Sequence, residues 1–195
     1  MPKNTNQTGG SFMKKFLVPI LIVAILLGAV GISFNGLVSL DEDVKNAWGQ
    51  VENVLKRRAD LIPNLLETVK GYASHEKEVL TQITEARSKI TSADSPEEYA
   101  EADQQLTRGL NELSVVVENY PDLKANENFK EFQAELASTE NKISTERMRY
   151  NDAVKEYNTK IRRFPTNLFA GMFNFEKREY FEIDEEDAEV PEVDF

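Results

Sequence analysis

Apolar residues follow two different patterns along this chain, and the first is a long uncharged stretch near the N-terminus. The 25 residues from Phe16 to Leu40 include no charged side chain. The most apolar part ends at Phe34, and it is long enough to cross the hydrocarbon core of a bilayer, which takes about 20 residues of helix. The sequence therefore predicts a transmembrane helix over residues 16–35, preceded by a short polar and basic N-terminus over residues 1–15.

A cleaved signal peptide is the alternative interpretation of this stretch. Lys14 and Lys15 supply the basic region that precedes such signals, and the small residues at 29–31 resemble a cleavage site. The apolar run is longer than the ~7–15 residues of a typical signal core. We therefore favour an uncleaved anchor.

The charges on either side of the apolar stretch predict its orientation. Three lysines precede it, whereas the acidic run at 41–43 follows it. Cytoplasmic flanks of membrane helices are enriched in Lys and Arg. We therefore expect a single-pass protein of the bacterial cytoplasmic membrane, with its N-terminus in the cytoplasm and the rest of the chain outside.

The second pattern begins at Val44, where apolar residues start to recur every three or four positions, as on a helix with one buried face. Ser95 followed by Pro96 is typical of a helix start, and prolines at 121 and 165 mark helix ends. No segment shows the period of two that is typical of strands. The pattern predicts an all-α fold, with the N-terminal transmembrane helix followed by an antiparallel up-and-down four-helix bundle over residues 36–165.

Two arrangements of the first apolar stripe remain open. Residues 41–91 form either one long helix or two helices joined by a turn near residues 71–74. The turn gives four helices of about 35, 18, 24 and 37 residues, whose first and last members match in length as in an up-and-down bundle. We favour the arrangement with the turn.

Two further segments follow the predicted bundle. Residues 166–181 are rich in large apolar side chains, whereas residues 182–195 hold eight acidic residues and no basic one. The first segment is either a flap packed on the bundle or a contact with the membrane interface or a partner. The second is an acidic tail, either solvated or a docking peptide for a basic partner. The candidate interfacial or partner-contact residues are Leu168, Phe169, Met172, Phe173 and Phe175.

The composition and motifs of the chain exclude several kinds of catalytic and metal-binding site. The chain has no cysteine and one histidine, which excludes disulfides, thiolate metal sites and thiol nucleophiles. It has no phosphate-binding glycine loop and no zinc-protease spacing. Its net charge of −11 disfavours nucleic acid as a partner. We therefore expect no catalytic residue, no metal site and no cofactor, and we expect that the protein is not an enzyme.

Arg58 is the most informative polar residue, because it falls on the apolar stripe. An antiparallel pairing of the first and last long helices places it level with about residue 141, so Glu140 is the natural partner. We therefore expect a structural ion pair between these two residues, which fixes the register of the helices. Replacing Arg58 alone is expected to destabilise the bundle, and replacing Glu140 as well is expected to restore most of the loss.

Several ordered motifs resemble those of the LemA family of bacterial membrane proteins. They are Trp48, RRADLIPNL at 57–65, VKGYASHE at 69–76, VENYPDLKAN at 117–126, TEN at 139–141, YNDAV at 150–154, YN at 157–158 and FP at 164–165. The resemblance extends from Lys14 to Phe195. It implies one transmembrane helix and a four-helix up-and-down bundle. It implies no catalytic residues, because the family has no established biochemical activity.

Two other properties of the family bear on function and orientation. One member is associated with bacterial magnetosome membranes, which points to membrane organisation or scaffolding. The family has also been described with the N-terminus outside the cell, opposite to the orientation that the charges predict. We interpret the chain as a non-enzymatic membrane scaffold or adaptor that presents its bundle to protein partners or to a second copy of itself. The alternative is a membrane-remodelling or membrane-organising protein that uses residues 166–181.

Overall fold

The structure is a computed structural model that describes residues 9–182, with the side chains of residues 17, 19–25 and 27–182. The first residues of the predicted N-terminus, 1–8, and nearly all of the predicted acidic tail, 183–195, lie outside the described residues.

Helices account for most of the described chain. They are α1 (Gly9–Lys70), α2 (Lys77–Ser92), α3 (Pro96–Val117), α4 (Pro121–Ala125) and α5 (Glu127–Arg162), followed by single 3₁₀ turns at Thr166–Leu168 and Gly171–Phe173. No strand occurs between residues 9 and 182. The all-α fold class, with an N-terminal apolar helix and a helical bundle, is confirmed.

The first helix ends where the favoured arrangement placed a turn. The amide of Ala73 donates to the carbonyl of Val69 at 2.8 Å, and the chain leaves the helix before α2 begins at Lys77. The alternative, one helix over residues 41–91, does not occur. Because α1 runs without a break from Gly9 to Lys70, the apolar segment and the first bundle helix form one continuous helix.

Local side-chain caps explain where two of the helices start. The Ser95 hydroxyl accepts from the amide of Glu98 at 3.2 Å, and the Glu98 carboxylate accepts from the amide of Asp94 at 2.8 Å. The Asn126 side chain accepts from the amide of Phe129 at 3.1 Å. These bonds satisfy amides that lack a partner within the first turn, so the sequence fixes both starting points locally.

The described chain divides into two compact units. Residues 9–42 and 156–177 form one, here the anchor unit, and residues 43–155 and 178–182 form the other, here the bundle unit. The bundle unit has a core of aliphatic side chains from four helices. Its most deeply buried members include Val51, Leu55, Ile62, Ile83, Ile90, Leu106, Leu113 and Ile143. At Gly109 of α3 an added Cβ would lie 2.9 Å from Cγ1 of Ile83, so the glycine permits a close approach of α2 and α3.

The anchor unit contains the apolar part of α1. Among the described residues, α1 is the one helix that is long and apolar enough to cross a membrane. Large side chains described along it, among them Leu17, Ile25 and Ile32, are exposed, as lipid-facing side chains are. Lys160 of α5 lies beside Gly36, with its Cε 4.0 Å from the Cβ position of that glycine. The end of α5 therefore lies alongside α1 just after the apolar run.

Candidate functional site

A buried arginine joins three helices of the bundle unit. Nη1 of Arg58 in α1 lies 2.6 Å from Oε2 of Glu140 in α5 and 2.7 Å from Oδ1 of Asp103 in α3. The structure thus brings Arg58 together with the partner expected from the sequence and adds a second one. Arg58 and Asp103 are almost completely buried, whereas the Glu140 side chain is 48% exposed. Asp103 is absent from the residues predicted above, although its position between Tyr99 and Leu106 on the helix places it on the face toward the core.

The electrostatics of this cluster are dominated by burial. Desolvation raises the pKa of Asp103, and the neighbouring guanidinium of Arg58 acts in the opposite direction. Nε of Arg58 has no hydrogen-bond partner in the described part of the chain. Asp103 also changes one expectation: replacing Arg58 and Glu140 together would leave a buried carboxylate without its cation, so we now expect that this double substitution does not restore stability.

A groove with a volume of about 400 Å³ opens beside the cluster, between α3 and α5. A volume of this size suits a small ligand or a few side chains of a partner. Arg58 and Glu140 line one part of the groove, and polar residues such as Asn111 and Gln133 line its sides. Its apolar lining is formed by Leu65, Leu110, Leu113, Phe129 and Leu136.

The last described residues, 178–182, here called the strap, are held by side chains of α5. The Asn151 amide group donates to the carbonyl of Phe181 at 3.0 Å, and its oxygen accepts from the amide of the same residue at 2.9 Å. The Tyr150 hydroxyl donates to the carbonyl of Glu179 at 2.8 Å. Burial raises the pKa of Tyr150 to about 12, so the hydroxyl remains a donor at pH values above the ordinary tyrosine pKa of about 10.

The side chain of Phe181 completes an aromatic cluster in the bundle unit. It is 1% exposed, and its ring centroid lies 6.1 Å from that of Trp48. The Trp48 ring also packs against Tyr99 at 5.4 Å and Tyr150 at 5.2 Å. Phe181 is absent from the residues predicted above, because the strap has no helical periodicity that marks a buried face.

The five predicted interfacial residues all lie in the anchor unit, but their side chains differ in exposure. Phe169 is buried, whereas Leu168 and Met172 are exposed and Phe173 is 46% exposed. The Phe173 and Phe175 rings pack edge-on against Phe34, with centroid distances of 5.0 and 5.7 Å. Of the two residues that bound the predicted span, Phe34 thus contacts this segment, and the side chain of Phe16 lies outside the described side chains.

The described residues show no constellation suited to catalysis. Among them, no group of three or more His, Asp or Glu side chains is placed to hold a metal ion. His75 is exposed in the turn after α1, and the neighbouring Glu76 accepts a hydrogen bond from the Tyr120 hydroxyl at 2.7 Å. A single exposed histidine beside a bonded carboxylate lacks the second tuned group that acid–base chemistry requires.

Comparisons with known proteins find one family and several relatives. The LemA family model matches residues 47–195. Protein LemA of Metamycoplasma hominis is 29% identical over 166 residues, which cover 82% of this chain and 74% of the relative. Magnetosome protein MamQ 2 of Paramagnetospirillum magneticum is 23% identical over 192 residues, covering 85% and 71%. Magnetosome protein MamQ of Magnetospirillum gryphiswaldense is 20% identical over 190 residues, covering 84% and 70%.

These relatives and the apolar helix α1 indicate a membrane-associated protein. The family model covers well over half of the chain and bears out the resemblance seen in the sequence motifs. The chain belongs to the LemA family.

Proposed function

We propose that the protein is a non-enzymatic scaffold or adaptor, anchored in the bacterial cytoplasmic membrane by residues 16–35, with its helical bundle on the extracytoplasmic side. The observation that carries the proposal is the open groove between α3 and α5 of the bundle unit. The relatives named magnetosome proteins support a role at a membrane.

The groove suits an amphipathic helix of a protein partner. Its lining residues on α5 run from Phe129 to Glu140, a length of about 16 Å at 1.5 Å per residue. Three helical turns of a partner match this length and offer apolar anchors at i, i+3 or i+4, and i+7. The half-exposed carboxylate of Glu140 favours a Lys or Arg of the partner at that end.

A photocrosslinking residue placed at Gln133, within the groove, tests this proposal in living cells. We expect a discrete crosslinked product, because a bound helix covers this position. Ser114 also lines the groove, so Ser114→Trp is expected to fill it and abolish the product. Val115 is 71% exposed and does not line the groove, so Val115→Trp is the matched control and is expected to leave the product unchanged.

Two results would contradict the groove as the partner site. One is the absence of any discrete product from Gln133, and the other is a product that persists unchanged in Ser114→Trp. A product with the mass of two chains identifies the bound helix as part of a second copy.

Membrane organisation through residues 166–181 is the second candidate function. It is favoured by the exposure of Leu168 and Met172 in the unit that also contains the end of the apolar run. Remodelling requires that these side chains wedge into one leaflet, which changes curvature. Vesicles that carry the full chain are then expected to form tubules, whereas a scaffold alone leaves their shape unchanged.

A further inference from the structure

The segment after α5, residues 163–177, contacts one end of the predicted membrane span. Phe173 and Phe175 pack edge-on against Phe34, and all three residues belong to the anchor unit. Residues 17–34 of the helix extend for about 27 Å at 1.5 Å per residue, close to the ~30 Å thickness of the hydrocarbon core. Phe34 therefore lies near the boundary between acyl chains and headgroups, and so does the segment that contacts it.

Large apolar side chains of this segment face outward. Phe164, Leu168 and Met172 are 79%, 68% and 80% exposed. Three such side chains within nine residues form a patch of the kind that marks an interaction surface. The outward direction is set by packing, because the intervening residues Thr166 and Phe169 are buried.

Hydrogen bonds hold the segment in this conformation. The amide of Ala170 donates to the carbonyl of Thr166 at 2.9 Å, and the amide of Phe175 donates to the carbonyl of Ala170 at 3.0 Å. The exposed side chains are thus presented by a folded turn of the chain.

Basic residues accompany the apolar patch. Arg162 and Arg163 are exposed and immediately precede Phe164, and Lys160 lies one turn earlier. Between residues 160 and 177 the chain holds four basic residues and one acidic residue, Glu176. Cations next to apolar side chains at the level of the headgroups are the combination that binds anionic lipid surfaces.

We infer that Arg162 and Arg163, with the exposed side chains of Phe164, Leu168 and Met172, form a binding site for anionic phospholipids at the end of the transmembrane helix. The guanidinium groups bind lipid phosphates through charge-assisted hydrogen bonds. The apolar side chains enter the upper part of the acyl region. The inference requires the anchor in the membrane but no protein partner, so it stands or fails independently of the groove.

The absence of native cysteine allows a direct test on the full chain. Asn167 is exposed between the site residues, and Asn167→Cys carries a fluorophore there without removing any of them. The labelled protein is inserted into vesicles of 70% phosphatidylcholine and 30% phosphatidylglycerol. In one preparation a nitroxide quencher is attached to the acyl chain of phosphatidylcholine, and in the other to that of phosphatidylglycerol, at equal amounts of quencher.

We expect quenching at residue 167 from both lipids, and at least about two-fold stronger quenching by phosphatidylglycerol, because each cation near a lipid surface favours anionic lipid by up to about five-fold. Arg162→Gln with Arg163→Gln is expected to remove most of the difference between the two lipids, with Lys160 and Lys177 leaving a remainder. The control, Lys130→Gln with Lys142→Gln, removes the same charge from α5 in the bundle unit and is expected to preserve the difference. A fluorophore on Ser144→Cys, also in the bundle unit, is expected to escape quenching.

Leu168→Ser with Met172→Ser is expected to reduce quenching by both lipids, since the apolar contact with the acyl chains is lost. The inference is overturned if residue 167 is not quenched, if the two lipids quench it equally in the unsubstituted site, or if the serine variant is quenched as strongly as the parent. Circular dichroism of each variant confirms that the helices are intact.

Discussion

Replacing Arg58 by leucine is expected to lower the free energy of unfolding by about 3–5 kcal/mol, the usual cost of removing one partner from a buried ion pair. The reason is the carboxylate that remains. Asp103 is 2% exposed, and in the folded bundle it has Arg58 as its partner at 2.7 Å. Without that cation the folded state must hold either an uncompensated charge or a carboxyl group whose pKa is raised still further.

The companion variants identify which carboxylate matters. Arg58→Leu with Asp103→Leu removes both buried charges and is expected to recover most of the loss, whereas Arg58→Leu with Glu140→Leu is not. Urea unfolding of the full chain in detergent micelles, followed by circular dichroism, measures each value. Arg57→Leu is the control, because the pair that Arg57 forms with Glu135 at 3.3 Å is exposed, and such pairs contribute about 0–1 kcal/mol. Additive losses from Arg58→Leu and Asp103→Leu would show that the two residues are not coupled.

Replacing Phe181 by alanine is the second large expected effect. The ring is 1% exposed and packs on Trp48, and loss of a buried phenylalanine typically costs about 3–5 kcal/mol. Much of this loss falls on the docking of the strap, because residues 178–182 follow the last helix and are held by Tyr150 and Asn151. We therefore expect the strap to detach from the bundle unit for a larger fraction of the time.

Limited trypsin digestion at Arg178 measures this detachment, since cleavage follows the population of the open strap. A loss of about 3 kcal/mol corresponds to cleavage about 100-fold faster than in the parent chain. Tyr180→Ala is the control, because the neighbouring side chain is only partly buried and its loss is expected to change the rate little. Equal cleavage rates in Phe181→Ala and the parent would show that the aromatic cluster does not hold the strap.

Features that depend on a few neighbouring residues could be predicted from the sequence. The serine, proline and glutamate at 95–98 form the N-terminal cap of α3, and Asn126 caps α5. Each of these caps is decided within one or two helical turns, which is the range over which the pattern of side chains is informative. The turn after Lys70 was favoured on a different ground, the matched lengths of the first and last helices of an up-and-down bundle.

Features that depend on residues distant along the chain could be predicted only in part. The stripe containing Arg58 and the helix register led to Glu140, but they did not indicate that α3 contributes Asp103, because that depends on how three helices meet. The strap is bound through its main-chain amide and carbonyl groups, which pair with the Asn151 side chain. Every residue type carries these groups, so the sequence of the strap does not indicate the pairing. Similarly, Leu168 and Phe169 are both large and apolar, and packing alone decides which of the two side chains is buried.

The end of α5 bears on the predicted orientation, because Lys160 lies beside Gly36, just after the predicted span, and Arg162 and Arg163 follow it in the anchor unit. The positive-inside rule counts basic residues within about 15–20 residues of the span. These cations come more than about 100 residues later in a long translocated segment, which crosses the membrane largely regardless of its charge. The three lysines before the span therefore still favour a cytoplasmic N-terminus.

Cysteine labelling of intact cells tests the central claim that one helix crosses the membrane and holds the bundle on the far side. Ser11→Cys precedes the span, and Ser144→Cys lies on the exposed surface of α5. We predict that a membrane-impermeant maleimide labels residue 144 in intact cells and residue 11 only after lysis. Labelling of residue 11 alone would keep the span but reverse the orientation. Labelling of both residues in intact cells, or of neither until lysis, would contradict a single transmembrane anchor.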